Sequence, residues 1–455
     1  MQTTTDVASG TQPDKVLAGR VIPPSEHPIT IDRISRDALF VMRKLNKAGF
    51  SAYLVGGGVR DLYLDKEPKD FDISTNARPG QLKKLFPNSR AIGRRFRLVQ
   101  VFCKNGNAIE VSTLRSLSEH DLDGPEAVLA PNNTFGSLDE DAQRRDLTIN
   151  SLFYEIKTNT IIDYVNGVED LDKAIIRIVG NPDKRINRDP VRAIRAIRHA
   201  ARNGFTIEDN SWHAICSNHN KLLLCPPSRL RDETLKDIYS GASAAWFELA
   251  AQSGIFNDLF GIYRKYLYSP VDQSTSCKDQ LSSIFSTIDR INSVAVSNKG
   301  SRQPDFFMLA LILIPWAEAK YGIFTEKLKG PALFQTGKRI RSDIDRDLGV
   351  QLNLRRSLRQ DITTLLTNLS SLIHHRQNGT WPKWLRKKSY FKRCSLFYHC
   401  YIEAISGQHV DDEILYTPHK PHKEPKRPDS KSDSSASNKP AFAPTSRKGI
   451  FGFKK

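Results

Sequence analysis

Residues 54–72 read LVGGGVRDLYLDKEPKDFD. The aliphatic run 52–55 reads as a strand that breaks at Gly56-Gly57-Gly58, with a short helix starting near Val59. Backbone N–H groups of a glycine turn at a helix start suit phosphate oxygens, although such a triplet equally serves as a plain tight turn. Fourteen residues past the turn's first glycine, Asp70-Phe71-Asp72 leads into a second short strand, expected over 71–73. Positions i and i+2 of a strand share a face, so Asp70 and Asp72 are expected side by side, where they repel unless a cation lies between them. A bare Asp-x-Asp also fits a solvent-facing strand. The third carboxylate, Glu110, stands within Ala108-Ile109-Glu110-Val111, after Asn105-Gly106, a hairpin turn signal. Three carboxylates on one sheet face suit in-line phosphoryl transfer with divalent ions, because Mg²⁺ takes one or two carboxylates together with phosphate oxygens.

Outward from that stretch, a helix is expected from its Ser35 cap through Ala38, Val41, Met42 and Leu45 to Gly49. Strands are expected at 98–103 and 108–112, and again at 151–156 and 160–164. From about residue 189 to 405 the apolar spacing is helical, and from about 417 the chain turns to Pro, Ser, Lys and His, the composition of a disordered basic tail. The fold class is therefore α+β, a mixed-sheet front followed by helices. Along Asp189, Arg192, Arg195 and Arg198 three-residue spacing makes one polar face, while Val191, Ile194 and Ile197 make an apolar one. An Asp that accepts and Arg forks that donate can read a base edge, and the remaining arginines fit a triphosphate. A solvated arginine face is the plainer reading.

With 68 Lys and Arg against 50 Asp and Glu, the 455-residue chain carries a formal charge of +18, which favours an acidic partner such as a nucleic-acid backbone. The six cysteines form no CxxC pair, which argues against a zinc module and a disulfide framework. His374-His375 lacks partners at metal-ligand spacing. The polar start MQTTTDVASG is unlike a secretory leader, and no run reaches the roughly 18 apolar residues of a membrane span, so a cytoplasmic location is expected.

The strand–GG–(x)₂–RD–(x)₈–DFD pattern resembles the DNA polymerase β-type nucleotidyltransferases, and within them the class II branch of bacterial CCA-adding enzymes and bacterial poly(A) polymerases. Later stretches agree in order: Arg144-Arg145-Asp146-Leu147-Thr148-Ile149-Asn150, Gly167-Val168-Glu169-Asp170-Leu171, Arg188-Asp189-Pro190-Val191-Arg192 and Pro226-Pro227-Ser228-Arg229-Leu230 with Glu233. Ala91 to Leu98 (AIGRRFRL) and Asn133-Thr134-Phe135-Gly136-Ser137 resemble the poly(A) group more than the CCA group.

The resemblance implies a nucleotidyltransferase head over 31–180 after a flexible lead-in over 1–30, a base- and RNA-binding helical neck over 181–240, a helical RNA-binding body over 241–410 and a disordered basic tail over 411–455. It implies that Asp70 and Asp72 hold two Mg²⁺ ions, that Glu110 positions the primer 3′-hydroxyl, and that Asp146 belongs to the catalytic set. Gly56, Gly57, Arg60, Arg145, Asn150, Asp189, Arg192, Arg195 and Arg198 would bind the nucleotide, ATP. The 167–171 stretch resembles a flexible element of the family. Arg94, Arg95 and Arg97, with Lys387 and Lys388 in the aromatic and basic run 381–393, would touch RNA. The implied partners are an RNA 3′ end and ATP, with RNA-chaperone or degradation-machinery proteins as further candidates. The rival readings are CCA addition to tRNA, an inactive RNA-binding adaptor and a basic DNA binder. In one departure, Arg188 stands where the family has an acidic residue before the Asp, which bears on base choice.

Overall fold

The computed structural model describes residues 19–93, 98–104, 106–116, 135–271, 275–324, 330–376 and 379–415. The expected RNA contacts Arg94, Arg95 and Arg97, the turn residue Asn105, and the tail from 416 onward lie outside the described residues.

Eight strands form one sheet: β1 (Arg20–Ile22), β2 (Ala52–Val55), β3 (Asp72–Thr75), β4 (Ser89–Ile92), β5 (Leu98–Phe102), β6 (Ala108–Thr113), β7 (Phe153–Glu155) and β8 (Thr160–Asp163), in the order β1-β8-β7-β2-β3-β6-β5-β4. The pairings are antiparallel except β3 with β6, so the sheet is mixed as expected. The lead-in is corrected at its end: residues 20–22, expected as flexible, form an edge strand paired with Ile161–Asp163.

Helix α1 (Arg36–Lys47) is capped as the sequence implies, the Ser35 hydroxyl accepting from the Asp37 N–H at 3.2 Å. Its Ala38, Val41, Met42 and Leu45 join Leu54, Ile73, Val99, Val101 and Val111 in the main core. That packing covers one face of the sheet. Alternation then sends the neighbours of those residues to the other face, where the Val55, Asp72 and Glu110 registers align. A small second core of Val55, Leu114, Ala142 and Phe153 supports this open face.

Helix α2 (Gly57–Tyr63) leaves β2, α3 (Pro79–Leu85) follows β3, and α4 (Leu138–Gln143) precedes the Arg144–Asn150 motif. The 167–171 stretch folds as helix α5 (Gly167–Asp172) with Gly167, Val168, Asp170 and Leu171 buried. Asp170 fixes it, accepting from Thr148 Oγ1 at 2.7 Å and pairing with Arg177 at 3.1 Å.

After α6 (Pro182–Arg188), the buried amphipathic α7 (Val191–Asn203), α8 (Asp209–Asn218) and α9 (Pro227–Ile238) build the neck. A two-stranded parallel sheet, β9 (Ile175–Ile176) with β10 (Thr206–Ile207), ties the head's end to it. Beyond residue 240 the described elements are helical, centred on Asp305–Tyr321, whose Phe307 to Glu318 are all buried. The main core runs without a break from head to body. No described helix is long and apolar enough to cross a membrane.

Candidate active site

Gly56 has φ 69° and ψ −136°, a conformation open to glycine, and it swings the chain out of β2 into α2. A side chain at Gly58 would press to 3.3 Å from the Asp70 carbonyl oxygen, so the turn sits directly against the acidic segment. Val55 is the last residue of β2 and pairs with Asp72. The ladder therefore begins at Asp72, one residue later than the expected start at 71, and Asp70 precedes it.

Asp72 lies beside Glu110 in the parallel β3–β6 register. The crowding of protein around Asp72, then the charges of Glu110 and Asp70, lift its carboxyl to about 6, while Arg145 pulls it down. The three expected carboxylates thus converge electrostatically on the open face. Two residues further along each strand, Ser74 Oγ meets Ser112 Oγ at 3.0 Å. Among the described residues no three His, Cys, Asp or Glu side chains make a closed metal cage. The donor set suits a hard divalent ion that takes its remaining ligands from phosphate and water.

Arginines surround this face. Arg145 Nη2 donates to Ser74 Oγ at 3.2 Å and to Asp141 Oδ2 at 2.9 Å, and its guanidinium lies 5.0 Å from the Phe153 ring centre. Asp141 is 2 % exposed and also stands 3.6 Å from Arg115. Burial, then Arg115, with Arg188 and Arg192 adding to it, push the Arg144 guanidinium down to about 10. So many confined cations favour an incoming polyanion.

Arg60 is buried and donates to Asn150 Oδ1 at 2.6 Å, to Asp61 Oδ1 at 2.7 Å, and to His199 Nδ1 at 3.2 Å. Burial and then Arg60 lower His199 to about 3, which keeps it neutral and able to accept. Arg60 and Asn150 therefore hold α2 against α7.

The polar face of α7 divides by turn. Arg192 donates to the carbonyls of Arg145 (2.6 Å) and Arg144 (2.9 Å), and its Nε is buried without a partner. Arg195 pairs with Asp146 at 2.5 Å. Burial pushes Asp146 upward, but Arg195, His199 and Arg192 overcome it and hold the carboxyl far below the usual range. Asp146 is thus tied to Arg195 of the neck helix. Arg198, expected at the nucleotide, is instead 7 % exposed and pairs with Glu233 (2.6 Å) and with Asp237 of α9. Asp189 is gripped by both terminal nitrogens of Arg229, at 2.9 and 3.0 Å. Lys387 and Lys388 are exposed on the body.

Asp141, His199 and Arg229 carry much of this arrangement and were given no individual role by the sequence. The i,i+4 spacing of Asp141 and Arg145 was the available signal for the first. A cleft of about 740 Å³ flanks the Arg144–Asn150 motif at the head–neck junction, walled in part by Gln143, Arg177, Lys184 and Arg188.

Residues 52–177 match the poly A polymerase head domain, and residues 204–266 match a probable RNA- and SrmB-binding site of polymerase A. The chain is 40% identical over 313 residues to poly(A) polymerase I of Escherichia coli O6:H1, a match spanning 67% of this chain and 66% of that protein. It is 37% identical over 243 residues to the CCA-adding enzyme of Lactobacillus helveticus, spanning 51% and 59%. The Bacillus stearothermophilus CCA-adding enzyme, solved in complex with CTP, shares the fold with a TM-score of 0.55 at 23% identity, over 84% of this chain and 80% of that one.

Proposed function

Because the chain belongs to the RNA nucleotidyltransferase family shared by poly(A) polymerases and CCA-adding enzymes, we propose that it is a polynucleotide adenylyltransferase that extends RNA 3′ ends with AMP from ATP. The observation that carries the reading is the Asp72–Glu110 register beside Asp70, on the open face of a head matched to poly A polymerases. The longer and slightly stronger match to poly(A) polymerase I favours ATP alone over CCA addition.

In the reaction the RNA 3′-hydroxyl attacks the α-phosphorus of ATP, the bond to the β-phosphate oxygen breaks, and pyrophosphate leaves. Asp70 and Asp72 would hold divalent ions, which when bound acidify the attacking hydroxyl and neutralise the leaving group. Glu110 accepts from the 3′-hydroxyl and orients it. The Arg115, Arg144 and Arg145 group balances the triphosphate charge. Arg192, spent on the carbonyls of Arg144 and Arg145, fixes head to neck, while Asp189 with Arg229 offers an acceptor and a donor to the base edge. Tails made this way would mark RNA for turnover.

The test uses the full chain, Mg²⁺, one nucleotide at a time, and two primers: an unstructured RNA and a tRNA lacking its CCA end. Long extension of both with ATP alone is expected. One to three additions confined to the tRNA would assign CCA chemistry, and no addition would leave an RNA-binding adaptor.

A further inference from the structure

The helical body contains a cleft of about 1040 Å³, outside the head and outside residues 204–266. It is larger than the roughly 300–1,000 Å³ of most small-molecule pockets, so it suits a length of chain better than one metabolite. Its walls combine three kinds of group. Phe306, Tyr390, Phe391 and His399 supply ring faces and edges. Trp381 braces two of them from behind, its ring centre 5.4 Å from Phe391 and 5.6 Å from His399. Lys392 and Arg393 supply charge; both are exposed, and Arg393 lies 5.1 Å from the Phe306 ring centre.

The charge is placed against the helix. Lys392 and Arg393 occupy the first turn of Phe391–Ser406, which contains no acid and has no side-chain cap. Cations at the positive end of a helix raise the local potential, an arrangement an incoming anion relieves. Asp361 and Glu413 also line the cleft. They repel phosphate, but a carboxylate accepts from the exocyclic amino group of a base. The chain's own 416–455 segment, rich in Lys and Arg, is the wrong sign for the cationic rim.

We propose that this cleft is a second RNA site, holding single-stranded, adenine-containing RNA upstream of the 3′ end by stacking on Tyr390 and Phe306, with phosphates on Lys392 and Arg393 and base amino groups on Asp361. The proposal rests on the transferase reading for why RNA is present, not for the site itself. Stacking on aromatic rings beside a basic groove is how proteins hold single strands without reading sequence. The carboxylate adds a preference for adenine over uracil, which has no exocyclic amine.

The test measures anisotropy of fluorescent A20 and U20 with the full chain, without ATP or metal. Wild type should bind A20 at least threefold tighter than U20. K392E/R393E should weaken A20 binding tenfold or more at 100 mM salt, Tyr390→Leu about fivefold, and Asp361→Ala should erase the preference for A20. K338E/R339E changes net charge equally on another exposed surface and should cost less than threefold. Equal losses in both charge-reversed pairs, or cleft variants that bind A20 within twofold of wild type with unchanged melting, would overturn the site. Extension of A20 by the wild type with ATP and Mg²⁺ is scored separately. Cleft-dependent binding without extension would refute the transferase reading and keep the cleft, and extension with cleft-independent binding would do the reverse.

Discussion

Replacing Arg198 with leucine separates two roles that give opposite signatures. The structure encloses Arg198 between Glu233, 6 % exposed, and Asp237, fully buried. The leucine variant leaves two carboxylates facing each other in an apolar neck. Losing one partner of a buried pair costs about 3–5 kcal/mol, which corresponds to a melting shift on the order of 10 °C. Burial already raises the Asp237 carboxyl, with Arg198 pulling against it; without Arg198 it rises further. A folded-state value above the unfolded one means the penalty is fully present above the folded pKa and fades as pH falls through it. The variant should therefore gain on wild type as pH drops from 8 toward 5. In denaturant titrations R198L/D237N should recover about 2 kcal/mol relative to R198L, since the pair couples directly. KM for ATP should change little in the fraction that remains folded. A variant within about 1 kcal/mol of wild type but with KM raised tenfold would refute this reading and return Arg198 to the nucleotide.

Asp70→Asn and Asp72→Asn should each lower transfer by about 10³-fold or more, with unchanged circular dichroism; retained activity in either would remove that carboxylate from the site. In EDTA at pH 8, Asp72→Asn should melt higher than wild type by about 1 kcal/mol after allowance for solvent screening. That gain should shrink as pH falls through about 6, because the raised Asp72 carboxyl protonates; a lower melting point at pH 8 would contradict the crowding. Asp141→Asn strands Arg145 and Arg115 and should cost about 2 kcal/mol of stability, with a fall in kcat/KM measured by primer extension. Arg229→Ala frees Asp189 and should relax the preference for ATP over CTP by about tenfold, read as a ratio of kcat/KM values.

Local chemistry made the first part of the site legible. Ser35 caps α1, Gly56 turns β2, and Ile109 and Val111 alternate with Glu110, each within a few residues of its cause. The strand expected from 71 starts at Asp72, where its pairing with Val55 ends. Gly56 carries β2 away, so residues 70 and 71 have no partner on the β2 side of the sheet. Helical spacing grouped Arg192, Arg195 and Arg198, but α7 passes between head and α9, and each turn meets a different neighbour. Periodicity reports a face, not what stands opposite it. The Asp189–Arg229 and Arg60–His199 contacts join residues 40 and 139 positions apart, a separation that no local pattern encodes.

The three-residue strand at Arg20–Ile22 has a practical consequence. It shields the hydrogen-bonding rim of Thr160–Asp163, whose Ile161 and Ile162 would otherwise offer a template for another molecule's backbone. A proteolytic clip after Ile22, although far along the chain from every acidic group of the site, would leave an open edge prone to self-association. Clumping on storage would then report a lost N-terminal margin before any assay of turnover did.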